Sequence, residues 1–166
     1  MLNLKYYLSN NIIAFYFAHF IRPDNEQNKE IEHVKGFCDL YNIALQIKKC
    51  DIDIKSESVR LGVSIEELAR KCRYNALENA LKENDANYIA LAHNENDQIE
   101  TIIMRFFQGS FLDGLVGIPS VNKNIIRPLL EVSRPEIENF LSLNNIRVFI
   151  DSTNSQNLYL RNKVRK

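Results

Sequence analysis

The sequence alternates between short apolar runs and segments of helical periodicity, and this alternation limits the folds that the chain can adopt. The apolar runs predict β-strands at residues 12–18, 44–50 and 88–92. The helical patterns lie at residues 25–41 and 64–82 and in the apolar stripe over 99–107. Strands that alternate with helices predict an α/β fold, a parallel sheet with crossover helices on both faces.

The second half of the chain predicts a short helix between two further strands. Ser133 and Glu136 have the spacing of a capping box, and the helix that they begin is predicted to end at Leu143. The flanking strands are predicted at residues 125–130 and 146–150.

Charge is distributed unevenly along the chain, although the formal net charge is zero. Residues 1–121 carry 13 Lys and Arg against 17 Asp and Glu, and residues 122–166 carry 8 against 4. A basic end on an acidic body indicates a polyanionic partner. The sequence "LRNKVRK" at 160–166 is open to two interpretations, a solvated tail or a contact with RNA phosphates.

The cysteines and the apolar runs indicate a cytoplasmic protein. Cys38, Cys50 and Cys72 form no C-x-x-C pair, and such a scattered, odd-numbered set predicts reduced thiols. The longest apolar run, residues 12–21, is too short to span a membrane and is not followed by a small-residue cleavage site.

The polar residues 93–97 follow the third predicted strand directly, and two interpretations apply to them. Asn94 is a good helix N-cap, and Asp97 stands three residues later, where an acid complements the helix dipole. Alternatively, His93 reaches a nucleotide from the strand end while Asp97 holds Mg²⁺ or orients a nucleophile. Spacing alone favours the helix start.

Glu66, Arg70 and Arg73 share one ridge of the helix predicted over 64–82. A surface ion pair between Glu66 and Arg70 is one interpretation, and a pair of arginines that binds phosphate is the other. Without further context the surface pair is favoured.

Four segments in order along the chain resemble those of the tRNA(Ile)-lysidine synthetases, which are PP-loop ATPases. "ALAHNENDQIETIIMRFFQGSFLDGLVGIP" is similar to the AHHxDDQxET segment of that family and the glycine-rich loop after it. "IIRPLLEVSRPEIENFL", "DSTNSQNLYLRNKVR" and "SIEELARKCRY" are similar to three further motifs. Four co-linear motifs are far more specific than any one of them.

The sequence departs from the family pattern at several positions. Asn94 stands in place of the second histidine, Asn96 in place of the first aspartate of the DD pair, and Phe111 in place of a glycine. The SGGxDS phosphate loop of the family would lie before residue 1. Residues 1–9 look like the rear half of a helix, so we expect an N-terminally incomplete fold in which this chain alone binds ATP poorly.

The resemblance implies one PP-loop domain over residues 1–166, with a nucleotide-binding core at 1–121 and a basic part at 122–166. It implies a ligase that uses ATP and Mg²⁺ to join free lysine to the wobble cytidine of tRNA(Ile) through an adenylated intermediate. Asp97 and Arg73 would be catalytic, His93, Arg70 and Asp97 would bind the cofactor, and Asp97 would bind the metal. The residues implied to bind nucleic acid are Arg127, Arg134, Arg161, Lys163 and Arg165.

Two alternatives remain open. The chain could belong to another PP-loop enzyme that modifies tRNA, such as one of the 2-thiocytidine type, although those rely on cysteine pairs. It could also be a remnant that binds RNA and has no enzymatic activity.

Overall fold

The computed structural model describes residues 12–19, 21, 24–107, 109, 116–146 and 148, and it falls into two compact units, Met1–Ala86 and Asn87–Lys166. In order, the first unit contains β1 (Ile13–Ala18), α1 (Asp24–Leu40), β2 (Ala44–Lys49), α2 (Ile54–Leu61) and α3 (Ile65–Glu83). The second contains β3 (Ile89–Ala90), α4 (Glu95–Phe107), β4 (Val121–Asn122), β5 (Ile125–Ile126) and α5 (Arg134–Leu143). The prediction of a single domain over residues 1–166 stays a prediction.

In the first unit, β1 and β2 form a parallel pair that α1 connects. Their register runs from Ile13 opposite Ala44 to Ala18 opposite Lys49. A parallel pair needs a crossover connection, and the long helix between the strands supplies it. The predicted strands at 12–18 and 44–50 and the predicted helix at 25–41 are therefore confirmed.

Helices contact both faces of this strand pair. The Tyr16 hydroxyl accepts a hydrogen bond from the fully buried side chain of Gln27 on α1. Gln46 Oε1 accepts a hydrogen bond from Asn84 Nδ2 at the end of α3, at 2.9 Å. Because Tyr16 lies opposite Ile47 and side chains alternate along a strand, Gln46 points to the other face. The prediction of helices on both faces is confirmed for this unit.

The two helices that follow β2 have clear end signals. In α3, the Ser64 hydroxyl accepts the N–H of Glu67 at 3.1 Å, as the capping pattern predicted. No pattern predicted α2, yet Asp53 caps its start and Gly62, with a φ of 67°, ends it. The helix has only eight residues and buries only Ile54 and Ser58, so its periodicity is too short to detect.

The second unit has shorter strands than the sequence predicts. β3 pairs in parallel with β5, which also pairs with β4 in an antiparallel hairpin. The strand predicted over 88–92 is reduced to Ile89–Ala90, and the extended segment predicted over 125–130 to Ile125–Ile126. A turn follows β5, because the N–H of Leu130 donates to the carbonyl of Arg127.

The helices of the second unit agree with the predictions in position but not wholly in burial. α5 begins with the predicted Ser133–Glu136 capping box and ends at Leu143. The apolar stripe of α4 is not buried: Phe106 is 66 % exposed, whereas Glu100 is 5 % exposed. The predicted helix over 1–9 lies outside the described residues, as does most of the strand predicted over 146–150. Among the described helices, none is long and apolar enough to cross a membrane.

Polar side chains of α4 hold the segment that begins at Gly117. The side-chain amide of Gln98 accepts the N–H of Ile118 and donates to its carbonyl at 3.1 Å. Arg105 Nη1 donates to the carbonyl of Gly117 at 2.9 Å. Gly117 has a φ of 76°, which favours glycine, and a Cβ there would lie 2.5 Å from Gln98 Oε1, so the Gln98 side chain would have to move.

We expect Gly117→Ala to lower the free energy of unfolding by about 1–3 kcal/mol, because the methyl group strains the backbone and displaces Gln98. The matched control is Gly36→Ala in α1, where no atom beyond the adjacent residues and the backbone of the helix itself lies within 4 Å of the added Cβ. That change should raise the free energy of unfolding by about 0.5–1 kcal/mol. Urea titration followed by circular dichroism measures both, and equal effects at the two glycines would contradict this account.

Candidate functional site

The start of α4, at the exit of β3, is fixed by a pair of reciprocal hydrogen bonds. Asn94 Oδ1 accepts the N–H of Asp97, and Asp97 Oδ2 accepts the N–H of Asn94, both at 3.1 Å. These reciprocal bonds form a capping box, so the predicted helix start is confirmed. Asparagine is among the best N-cap residues, which gives a structural reason for Asn94 where the family pattern has histidine. His93 and Asp97 are both half-buried.

The start of α5 lies directly beside this turn. The N–H of Glu95 donates to the carbonyl of Val132 at 3.1 Å, and the N–H of Arg134 donates to Asn96 Oδ1 at 3.1 Å. Asn96 thus satisfies a backbone donor in the first turn of the next helix. The backbone of Arg134 contacts Asn96. The Arg134 guanidinium forms an ion pair with Glu138 at 2.8 Å.

Arg127, a predicted nucleic-acid contact, is 7 % exposed. Its Nη1 donates to the carbonyl of Pro119 at 2.7 Å, and its backbone N–H donates to Ser120 at 2.9 Å. Its Nε is buried and has no hydrogen-bond partner among the described residues. The burial of Arg127 leaves little of its surface for an RNA phosphate, and the RNA contact stays a prediction.

The basic character of the C-terminal segment lies mostly beyond the described residues. In the range 122–146, the basic residues Lys123, Arg127 and Arg134 are balanced by the acidic residues Glu131, Glu136 and Glu138. Arg161, Lys163 and Arg165 lie outside the described residues. Of the residues predicted to bind RNA, the structure therefore describes only Arg127 and Arg134. The exposed Lys123, which was not predicted, lies in the same range.

Arg70 and Arg73 lie on α3 of the first unit, and both are exposed. Arg70 Nη2 donates to the Tyr74 hydroxyl at 3.2 Å, and its Cζ lies 4.8 Å from the centroid of that ring. This cation–π contact orients the guanidinium. The surface pair with Glu66 that spacing favoured is not formed among the residues that the structure describes.

The first unit also has a partly open cavity of about 180 Å³ that no sequence pattern predicted. It lies where β1 and β2 end, and His19, Cys50, Asp53 and Lys55 contribute to its lining. Ligands of parallel α/β sheets bind at this end of the strands. A hydrogen bond from Ser56 is the largest of the effects that lower the pKa of Asp53. The signal in the sequence was the same as at 93–97, polar residues directly after a strand.

The described residues contain no group of three or more His, Cys, Asp or Glu side chains arranged to hold a metal ion. The Asp97 carboxylate provides one candidate ligand at the start of α4. Magnesium in nucleotide sites is commonly held by one or two carboxylates together with phosphates and water. A single carboxylate at Asp97 therefore fits the Mg²⁺ that the sequence resemblance implies.

The comparisons with known proteins agree with this architecture. A family model described as "PP-loop domain" matches residues 1–166, and the chain belongs to that family. Its α/β fold is thereby established, and membership supports the use of ATP.

Similar proteins carry more specific names. The chain is 99 % identical over 165 residues to a tRNA(Ile)-lysidine synthase of Borreliella afzelii, and the match covers 99 % of this chain and 38 % of the relative. It is 39 % identical over 156 residues to the protein of that name from Clostridium tetani, and the match covers 93 % of this chain and 33 % of the relative. The chain thus spans about a third of the length of these relatives.

A solved structure shows the same fold. The U34-tRNA thiolase NcsA from Methanococcus maripaludis, with its 4Fe-4S cluster, matches with a TM-score of 0.76 and 19 % identity. The match covers 97 % of this chain and 57 % of the thiolase. At this identity the likeness concerns the fold alone.

We expect Asn94→Ala to lower the free energy of unfolding by about 1 kcal/mol, because it removes the oxygen that accepts the Asp97 N–H. Asn94→Asp keeps an acceptor at the same place and should stay within about 0.5 kcal/mol of the original chain. Urea titration of the two variants measures the difference. Equal stability of both variants would show that the cap contributes little.

Proposed function

We propose that this chain is the ATP-using part of a tRNA(Ile)-lysidine synthase, a ligase that joins lysine to the wobble cytidine of tRNA(Ile). The observation that carries the proposal is Asp97, a half-buried carboxylate at the start of α4, next to the exit of β3. It stands in the segment that resembles the AHHxDDQxET motif of that family. The names and the high identity of the relatives support the same assignment.

The proposed reaction has two steps. ATP adenylates the C2 carbonyl oxygen of the cytidine and releases pyrophosphate, and the lysine amine then displaces AMP. When bound, Mg²⁺ would screen the charge of the phosphates. We assign Asp97 to the metal and to catalysis, and His93 to the nucleotide.

The arginines of α3 have the complementary charge. We assign Arg70 to the phosphates, because an exposed guanidinium binds phosphate oxygens in a fixed geometry. We assign Arg73, which is also exposed, to the activated cytidine. The contact with Tyr74 supports this role for Arg70, since an oriented side chain loses less entropy when it binds.

Transfer RNA is the proposed macromolecular partner, and free lysine is the second substrate. We assign Arg134 and the basic residues Arg161, Lys163 and Arg165 to the RNA backbone. Such contacts release counterions, so the binding of tRNA should weaken as the salt concentration rises.

Analysis of the modified nucleosides distinguishes this proposal from its alternatives. The relative from Borreliella afzelii, expressed at full length, is incubated with tRNA(Ile), ATP, Mg²⁺ and lysine, and the digested RNA is examined by mass spectrometry. Lysidine supports the proposal. Formation of 2-thiocytidine with a sulfur donor, or binding of RNA without any product, would overturn it.

In that full-length protein, we expect the Asp97→Asn change at the aligned position to lower lysidine formation about 100-fold or more. The loss of stability should be about 1 kcal/mol or less, because asparagine keeps an oxygen that can accept the Asn94 N–H. The matched control is Glu136→Gln, which alters the equivalent capping acid of α5, where hydrogen bonds from Ser133 lower the pKa of Glu136. An equal loss of turnover in both variants would reduce Asp97 to a capping residue.

We expect Arg73→Ala in the same protein to lower turnover about 100-fold while changing the melting temperature little. Lys71→Ala removes a neighbouring exposed cation of α3 that the family motif does not include, and it should leave turnover within about twofold. Lysidine formation and thermal unfolding are measured side by side. If the loss of turnover is no larger than the loss of folded protein, Arg73 has no role in the reaction and is an ordinary surface residue.

A further inference from the structure

Two of the three cysteines are in contact, although they are far apart in the sequence. Cys50 is close enough to Cys72 to raise the pKa of the Cys72 thiol, and both residues are half-buried. Cys50 follows β2, and Cys72 lies on α3. The proposed ligase reaction uses neither thiol.

The backbone independently places these side chains on the same side of the strand pair. The N–H of Cys50 donates to the carbonyl of Ala18 at 2.8 Å, which continues the pairing of β1 and β2 beyond Lys49. Side chains alternate along a strand, so Cys50 points to the same face as Gln46. That face is the one that α3 contacts, because Gln46 binds Asn84 at the end of α3.

The order of the two contacts along the strand and the helix is also consistent. From Gln46 to Cys50 the strand covers about 13 Å, and from Cys72 to Asn84 the helix covers about 18 Å. The strand and the helix run in opposite directions between the two contacts. The contact of the thiols is thus part of the packing of α3 on the sheet.

The three thiols differ in how accessible they are to a small oxidant. Cys50 lines the partly open cavity at the ends of β1 and β2, beside His19 and Lys55. Burial is the largest effect that raises the pKa of the Cys72 thiol, and the neighbouring Cys50 adds to it. Cys38 is 3 % exposed, and burial also raises its pKa. A small oxidant therefore reaches Cys50 through the cavity, and Cys72 is the neighbour that can resolve the product.

We propose that Cys50 and Cys72 are a modification site that forms a reversible intramolecular disulfide when the protein meets a peroxide. The Cys50 thiol releases its proton, and the thiolate attacks the peroxide. The O–O bond breaks, a sulfenic acid forms, and the hydroxide that leaves takes up that proton and becomes water. The Cys72 thiol then attacks that sulfur, an S–S bond replaces the S–O bond, and a second water leaves. Two thiols are oxidised and one hydrogen peroxide is reduced to two waters. The proposal is independent of the ligase activity.

Such a bond would join the end of β2 to α3 at an S–S distance of about 2.0 Å. The wall of the cavity would change, because Cys50 is part of it. A reductant restores the two thiols by exchange.

The experiment maps the cysteines of the purified chain after treatment with hydrogen peroxide at about pH 8, where a larger fraction of each thiol is deprotonated. Remaining thiols are alkylated, and the digested peptides are identified by mass spectrometry. We expect peptides joined through Cys50 and Cys72 to exceed the other two pairings about tenfold or more, because the folded chain holds these thiols together. Dithiothreitol should abolish the linkage, and Cys38 should remain available for alkylation once the chain is unfolded.

The controls separate native contact from chance oxidation. Cys38→Ser should form the same linkage, whereas Cys50→Ser and Cys72→Ser should not. The original chain treated in urea should lose the preference for this pairing, and this arm needs no variant to fold. Sulfinic acid at Cys50 without linked peptides, equal amounts of all pairings in the folded chain, or linkage only between molecules would overturn the proposal.

Discussion

The first turn of α4 depends on the two hydrogen bonds between Asn94 and Asp97. They satisfy backbone and side-chain groups at the point where the chain leaves β3 and becomes helical. The next helix is attached to the same turn through Asn96 and the carbonyl of Val132. The carboxylate proposed for chemistry thus also caps the helix, so the observed helix start and the proposed nucleotide site at residues 93–97 are compatible.

The two units are stabilised in different ways within the described part of the chain. The first buries apolar side chains between helices and strands, among them Ala18, Ile31, Ile54 and Leu68. In the second, the apolar side chains of α4 are largely exposed, while Gln98 and Arg105 bind the backbone near Gly117. Hydrogen bonds to backbone groups have strict geometry, so they determine the position of this segment more narrowly than apolar contacts would. The side chains of the family-like segment therefore have a scaffold role as well as a proposed chemical one.

Sequence patterns predicted the local features well and the long-range ones poorly. Apolar runs, helical periodicity and capping residues located β1, β2, α1, α3 and α5, because these signals arise between residues that are near neighbours in the chain. The burial of Glu100 and the exposure of Phe106 could not be predicted, since periodicity shows that a helix is amphipathic but not which neighbours cover it. In the candidate site, the capping of α4 was predicted from the sequence, whereas the contact between Arg70 and Tyr74 was not. The Cys50–Cys72 contact depends on the packing of a helix on a strand, which no local pattern encodes.

The capping box of α4 makes the backbone amide of Asn94 an internal reporter on Asp97. Its proton is shared with the Oδ2 atom of that carboxylate. A ligand that binds Asp97 Oδ2 in place of the Asn94 N–H leaves this amide without its acceptor. Amides that lose a hydrogen-bond partner exchange their hydrogen with solvent faster. Hydrogen-exchange protection at a single backbone position thus records whether the Asp97 carboxylate is engaged by the helix or by something bound to it, without any chemical label.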